Sequence, residues 1–200
     1  MHNRLPLMKM IKGIIFDLDG TIVNVLYDWK RIKQELQTQG EPILSHIQSL
    51  QEPERSKKWA ILERFEEEAT AQATLKEGME KFLAFLKKKR IKTALVTNNS
   101  RKNVDFLLNK FKLNFDLVLS REAGLWKPSG APFLFVLENL GIQKKECCVI
   151  GDSHFDVKAA EEAGIKRIFV LTQEKEKKFS RGVETANTVK ELEEKIAKIL

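Results

Sequence analysis

The sequence predicts an α/β chain, a three-layer core with a mainly parallel sheet covered by helices on both faces, plus a helical cap inserted after the first strand. Three observations predict it. An apolar, β-rich run, "GIIFDLDGTIV" at residues 13–23, ends in two carboxylates and a turn. From about residue 91 onward, short apolar strands alternate with amphipathic helices in βαβ rhythm. Residues 24–75 break that rhythm with helical stripes alone.

In order along the chain, Ile14, Ile15 and Phe16 are continuously apolar, as in a strand covered on both faces, and Asp19-Gly20-Thr21 is turn chemistry that stops it. Asp17 and Asp19 therefore lie at the strand's carboxyl end, the edge where open parallel sheets bind ligands. Next come three apolar stripes at helical spacing: Val25, Trp29, Ile32 and Leu36; then Ile43, Leu44, Ile47 and Leu50 after Pro42; then Trp59, Leu62, Phe65, Ala69 and Ala73. They predict three helices with no strand between them. This insertion leaves the core beside Asp19, where it is placed to act as a lid. The sheet resumes with "GMEKFLAFLKKKRIKTALVT", a helix feeding a strand, and the chain closes on an amphipathic helix, "TVKELEEKIAKIL". The expected division is a core of residues 1–21 and 76–200 and a cap of residues 22–75.

Two hundred residues with 42% hydrophobic content suffice for a core of ordinary size. The net charge of +7 invites a nucleic-acid reading, but the basic residues are spread over both halves and gather at helix ends, as in "KFLAFLKKKR", where cations suit the dipole. The expectation is a solvated surface that attracts small anionic substrates, with no nucleic-acid partner. No apolar run approaches the ~18 residues of a spanning helix, and "MHNRLPLMKMIKG" is too short and broken for a secretory h-region, so a cytoplasmic protein without a membrane partner is expected. Cys147 and Cys148 are adjacent; in a strand they point to opposite faces and read as buried small hydrophobes.

Three further polar stretches follow strands as the first one does. "ALVTNNS" offers Thr97, Asn98, Asn99 and Ser100 ahead of a helix, either as an anion site or as the helix cap. "GLWKPSG" places Lys127 in a turn before the next helix; alone it reads as a surface lysine. "CCVIGDSHFD" ends a buried strand at Gly151-Asp152 and adds Asp156, on the same helix face if a helix begins near Ser153; alone, Asp152 reads equally as an N-cap. Four carboxylates, Asp17, Asp19, Asp152 and Asp156, brought to one crevice repel one another unless a hard cation sits among them, and oxygen donors of this kind suit Mg²⁺. A hydroxyl, amide hydrogens and an ammonium beside such a cation suit a phosphoryl group.

These residues carry a resemblance. The sequence resembles a haloacid-dehalogenase-superfamily phosphohydrolase with a Rossmann-like core and a small helical cap, most similar to the phosphoglycolate phosphatase-like branch. "DLDGT" at 17–21 resembles the first motif, Thr97 the second, Lys127 the third and "GDSHFD" the fourth. The chain departs from that branch at Asn24 and Val25, where members often carry an acidic residue and a serine.

The resemblance implies Asp17 as the nucleophile that forms an aspartyl-phosphate and Asp19 as the acid and base that serves the leaving group and then water. It implies phosphate binding by Thr97, Asn98 and Lys127, and Mg²⁺ held by Asp17, the Asp19 carbonyl, Asp152 and Asp156, with a small phosphorylated metabolite as partner. The acid at position 19 sets the chain apart from dehalogenases, which need none, and leaves a phosphomutase as the alternative enzyme and a non-catalytic binding module as the alternative of another class. A monomer or homodimer is expected. In the cap, Trp29, Lys30, Arg31, Lys33, Arg55 and Arg64 are candidate substrate contacts that would set specificity, while the insertion is expected to supply no group at the phosphoryl centre.

Overall fold

A computed structural model describes residues 11–173 and 178–200. The reading of the opening residues as no leader falls largely on 1–10 and lies outside the described residues. The elements run β1 (Gly13–Phe16), β2 (Val23–Asn24), α1 (Trp29–Leu36), α2 (Ile43–Ser49), α3 (Glu54–Ala71), β3 (Thr74–Leu75), α4 (Met79–Lys88), β4 (Lys92–Val96), α5 (Arg101–Phe111) and β5 (Leu117–Leu119). They continue with α6 (Ala131–Leu140), β6 (Cys147–Gly151), α7 (His154–Ala163), β7 (Arg167–Leu171), β8 (Val183–Ala186) and α8 (Val189–Ala197).

Six strands form one parallel sheet in the order β5-β4-β1-β6-β7-β8. Numbered by rank along the chain this is the doubly wound order 3-2-1-4-5-6. The chain steps outward from β1 through β4 to β5, then crosses to the far side of β1 and steps outward again. That reversal opens a crevice at the carboxyl ends of β1 and β6. Register aligns Phe16 with Leu95 on one side and Ile150 on the other, so the residues following these strands meet at one level.

Period-2 alternation divides the buried side chains between two faces. Ile14, Phe16, Leu95, Cys148 and Ile150 pack with Phe82, Val104 and Leu192 of α4, α5 and α8. Ile15, Ala94, Val96, Cys147 and Val149 pack with Phe133, Val136, Val157 and Ala160 of α6 and α7. The two cysteines thus enter opposite layers, as their adjacency requires, and both are unpaired.

The three helices of the insertion have their own small core, Ile32, Leu36, Leu44, Ile47, Leu62 and Phe65. Ala73, the last residue of the third stripe, lies beyond α3 and joins the sheet's core instead. Two features were not legible. β2 and β3 pair antiparallel, Val23 with Leu75 and Asn24 with Thr74, and make a neck through which the chain enters and leaves the cap. β8 adds a sixth strand at the sheet edge, half exposed along "VETA". Strands this short or this polar carry no alternation to read. Among the described residues, no helix is long and apolar enough to cross a membrane.

Candidate active site

Asp17 continues β1 by one residue, its N–H donating to Ile150 O at 2.9 Å. The chain then turns: the N–H groups of Thr21, Ile22 and Val23 all converge on Leu18 O at 3.3, 2.9 and 3.1 Å. Gly20 is required there twice over. Its φ is +82°, and a Cβ would lie 2.1 Å from Asp152 Oδ2. Thr21, fully buried, turns its hydroxyl back to donate to Asp17 Oδ2 at 3.3 Å.

Across the crevice, β6 ends at Gly151, where a Cβ would meet Asp156 Cγ at 2.3 Å. Ser153, not Asp152, is the N-cap of α7, and Asp156 closes the capping box: its Oδ2 accepts from the N–H groups of Asp152 (3.3 Å) and Ser153 (3.1 Å) and from the Ser153 hydroxyl (2.7 Å). Asp156 Oδ1 accepts from Lys127 Nζ at 2.6 Å, and the same ammonium donates to Asp17 Oδ1 at 2.5 Å. Lys127 is 6% exposed, so the surface-lysine alternative does not hold. It is held by Asn98, whose Nδ2 donates to Lys127 O at 2.8 Å and whose Oδ1 accepts Lys127 N–H at 2.9 Å. With its side chain so engaged, Asn98 has its main-chain N–H to offer a ligand.

Oxygens of Asp17, Asp152 and Asp156 lie within 4.8 Å of one another. Burial pushes the Asp17 carboxyl well above the usual range, Lys127 opposes that, and the neighbouring Asp156, Asp152 and Asp19 add to it. Burial alone would lower the Lys127 ammonium, but Asp156 and Asp17 outweigh it and hold it above its ordinary value. One ammonium thus stands against a cluster of three carboxylates. The donors are hard oxygens and the charge left over is negative, so the residues fit a divalent cation such as Mg²⁺. Asp156 is the most heavily engaged donor of the set: its Oδ1 accepts from Lys127 and its Oδ2 accepts three hydrogen bonds, whereas each Asp17 oxygen accepts one.

On the other side of β1, Thr97 follows β4 and is buried; its hydroxyl accepts Asn99 N–H at 3.0 Å and keeps its own hydrogen to donate. Ser100 caps α5, accepting Asn103 N–H at 3.3 Å, so in this stretch the capping reading holds for Ser100.

The sequence reading offered Asn99 only as an anion-site or capping residue and passed over Tyr27, Arg121 and Glu66. Asn99 donates from Nδ2 both to Asp19 Oδ2 at 3.0 Å and to the Tyr27 hydroxyl at 3.2 Å. Tyr27, the only tyrosine, belongs to the insertion, so a residue of the insertion reaches the amide that holds Asp19. Burial raises the Asp19 carboxyl to about 6, moderated by the Asn99 hydrogen bond and by Lys127. Burial and then the Asp19 charge push the Tyr27 phenol up, so it stays protonated.

The other two join cap to core. Arg121, after β5, donates from one nitrogen to both oxygens of Glu66 on α3 at 2.8 and 2.9 Å and lies over the Trp59 ring at 4.8 Å. Both charged groups are buried, and burial, opposed by Arg121, raises Glu66 to about 7. The cap cations singled out from sequence pair within the cap or are exposed. Arg31 and Arg64 share Glu35 at 3.1 and 2.6 Å and stack on Phe65, Arg55 pairs with Glu52 at 2.9 Å, and Lys30 and Lys33 are exposed. Trp29 stacks on Tyr27, with ring centroids 4.7 Å apart.

Fold and crevice together define a class, the doubly wound α/β proteins with an acidic, lysine-bearing switch point and a helical cap over it. Residues 14–170 match the family described as haloacid dehalogenase-like hydrolase, and the chain belongs to that family. A haloacid dehalogenase-like hydrolase domain-containing protein of Arabidopsis thaliana is 30% identical over 156 residues, which cover 72% of this chain and 63% of that relative's length. The phosphoglycolate phosphatase of Chromobacterium violaceum is 28% identical over 82% of this chain and 86% of its own. Among solved structures, CbbY of Rhodobacter sphaeroides, in complex with phosphate, superposes with a TM-score of 0.71 at 23% identity, covering 92% of this chain and 96% of that one. Relatives named as phosphatases are thus among the members of the family that this chain resembles.

Proposed function

We propose that the protein is a Mg²⁺-dependent phosphatase that removes phosphate from a small phosphomonoester, phosphoglycolate or a sugar phosphate, through an aspartyl-phosphate. The observation that carries this reading is the Lys127 ammonium bonded at once to Asp17 and Asp156 beside a cluster of carboxylate oxygens. It supports the reading because such an arrangement would supply a carboxylate nucleophile, a cation to neutralise an incoming phosphoryl group and oxygen donors for a metal.

In the first step Asp17 attacks phosphorus and the ester P–O bond breaks. The proton on Asp19 passes to the departing alkoxide, which leaves as an alcohol. In the second step Asp19, now a carboxylate, takes a proton from water as the water oxygen attacks phosphorus, releasing inorganic phosphate and restoring Asp17. A carboxyl raised to about 6 by burial suits both halves of that exchange. The Thr97 hydroxyl, the main-chain N–H of Asn98 and Lys127 receive phosphoryl oxygens, while Thr21 orients the nucleophile. Asp17, Asp152 and the Asp19 carbonyl would hold Mg²⁺, with Asp156 acting through water; when bound, the ion neutralises phosphoryl charge. The two unpaired, buried cysteines fit a reducing compartment, as the cytoplasm provides.

A phosphate-release screen over small phosphomonoesters, with and without Mg²⁺, tests the reading. Release of phosphate into water supports a phosphatase. Transfer back to a sugar phosphate without release would identify a mutase, and no turnover of any ester would leave a binding module.

A further inference from the structure

The Asn99 side chain has a single permitted orientation. Its Oδ1 accepts the main-chain N–H of Ser100 at 2.7 Å and Nδ2 of Asn103 at 2.9 Å, both of which can only donate there. Its own Nδ2 therefore must face the other way, and its hydrogens reach Asp19 Oδ2 at 3.0 Å and the Tyr27 hydroxyl at 3.2 Å. Asn99 is 3% exposed and Asn103 likewise 3%, so water does not substitute for either bond. Of the two Asp19 oxygens, Oδ2 is thereby taken, whereas Oδ1 is buried and has no hydrogen-bond partner. A buried carboxylate oxygen without a partner is costly unless a ligand completes it.

We infer that Asn99 and Tyr27 are positioning residues for Asp19. Asn99 fixes the carboxyl by Oδ2 so that Oδ1 is the atom that exchanges the proton with the leaving group. Tyr27, at the start of the cap, ties that amide to the insertion. The inference rests on the phosphatase reading and assigns within it a task that neither the motif residues nor the metal-binding carboxylates perform. The bonds span 80 and 72 residues of sequence, which is why no local pattern announces them.

Loss of positioning has a distinctive signature. The proton from Asp19 matters most when the leaving alcohol is a poor one and little when it is p-nitrophenol. The experiment measures kcat/KM, which reports the step that expels the alcohol, over a series of phosphomonoesters from alkyl phosphates to p-nitrophenyl phosphate. It uses the full chain and the Asn99→Asp and Tyr27→Phe variants, with folding checked by circular dichroism. Asn99→Asp keeps the acceptor for Ser100 and Asn103 but turns an oxygen toward Asp19. We expect it to lose about 100-fold on alkyl phosphates and about 3-fold or less on p-nitrophenyl phosphate, steepening the dependence on leaving-group pKa. Tyr27→Phe should steepen it in the same sense but less. A uniform loss across the series, or none in either variant, would overturn the assignment, since a merely structural role moves all esters alike. A wild-type protein inactive on every ester contradicts the phosphatase reading itself, and this inference with it.

Discussion

The charged groups of the sheet edge and those of the cap live under opposite conditions. At the carboxyl ends of β1, β4 and β6, Asp17, Lys127 and Asp156 are buried and bonded to one another, and each is held by a further neighbour or by its main chain. On the cap, Arg31 and Arg64 are exposed and Arg55 is half-buried, and all three pair with cap carboxylates. Exposed pairs are screened and contribute little, whereas buried ones fix geometry and shift protonation. The difference teaches that chemistry is pre-organised in the sheet. The cap meets the core through half-buried Tyr27 and buried Glu66 rather than through its many surface cations.

The largest expected effect is at the nucleophile. Asp17→Asn keeps the shape but not the nucleophilic oxygen, and phosphate release should fall by about 10⁴-fold or more while the circular dichroism spectrum is unchanged. Comparable turnover in this variant would dissolve the division between a chemical edge and a cap.

Chelation comes next: EDTA should abolish turnover, and full activity in its presence would refute the metal assignment. The same site predicts a pH dependence of stability. Asp17 and Asp19 are raised above their ordinary value of 3.8, Asp19 to about 6, so the folded state keeps protons that the unfolded chain has already released. The contribution of Asp19 to metal-free stability is therefore fully present below about pH 4 and is lost as pH rises through about 6. Mg²⁺ bound at this site, as proposed, would offset the carboxylate charge, so the rise in Tm on adding Mg²⁺ should be greater at pH 7 than at pH 5. An equal rise at both would mean that the cation binds elsewhere.

A smaller effect belongs to the seam between the regions. Arg121→Met leaves Glu66 buried without its cation and should destabilise the fold by about 3 kcal/mol in a denaturant melt. A change within experimental scatter would show that the cap is held by its apolar neighbours and the neck alone. The smallest effects should follow Arg31→Gln, Arg64→Gln and Arg55→Gln, each within about 1 kcal/mol in stability and a few-fold in kcat/KM on any ester. The sequence alone suggested these cations as specificity determinants. A change of 10-fold or more at one of them would restore that view and sharpen the comparison in the cap's favour.

What could be read from sequence follows the range of the signal. The strands of the sheet and the cap helices showed in local periodicity, and Asp17, Asp19 and Asp152 showed because turn chemistry after a buried strand marks the ligand edge. Lys127 was placed by its resemblance to a motif, while its burial and its grip by Asn98, 29 residues away, left no local trace. Asn99 resembled one more polar residue before a helix, and Glu66 one more acid in an "EEEAT" surface run. Their roles depend on Asp19, Tyr27 and Arg121, partners brought near only by the folded topology. The neck and β8 were too short or too polar to compete with loop readings.

The central claim is that Asp17 forms the covalent intermediate, and it can be tested on the protein directly. Acid quenching during steady turnover of a phosphomonoester in Mg²⁺, followed by peptide mapping, should recover phosphate on the peptide that contains Asp17, and none should be recovered there from Asp17→Asn. Phosphate trapped on a peptide lacking Asp17 would contradict the account.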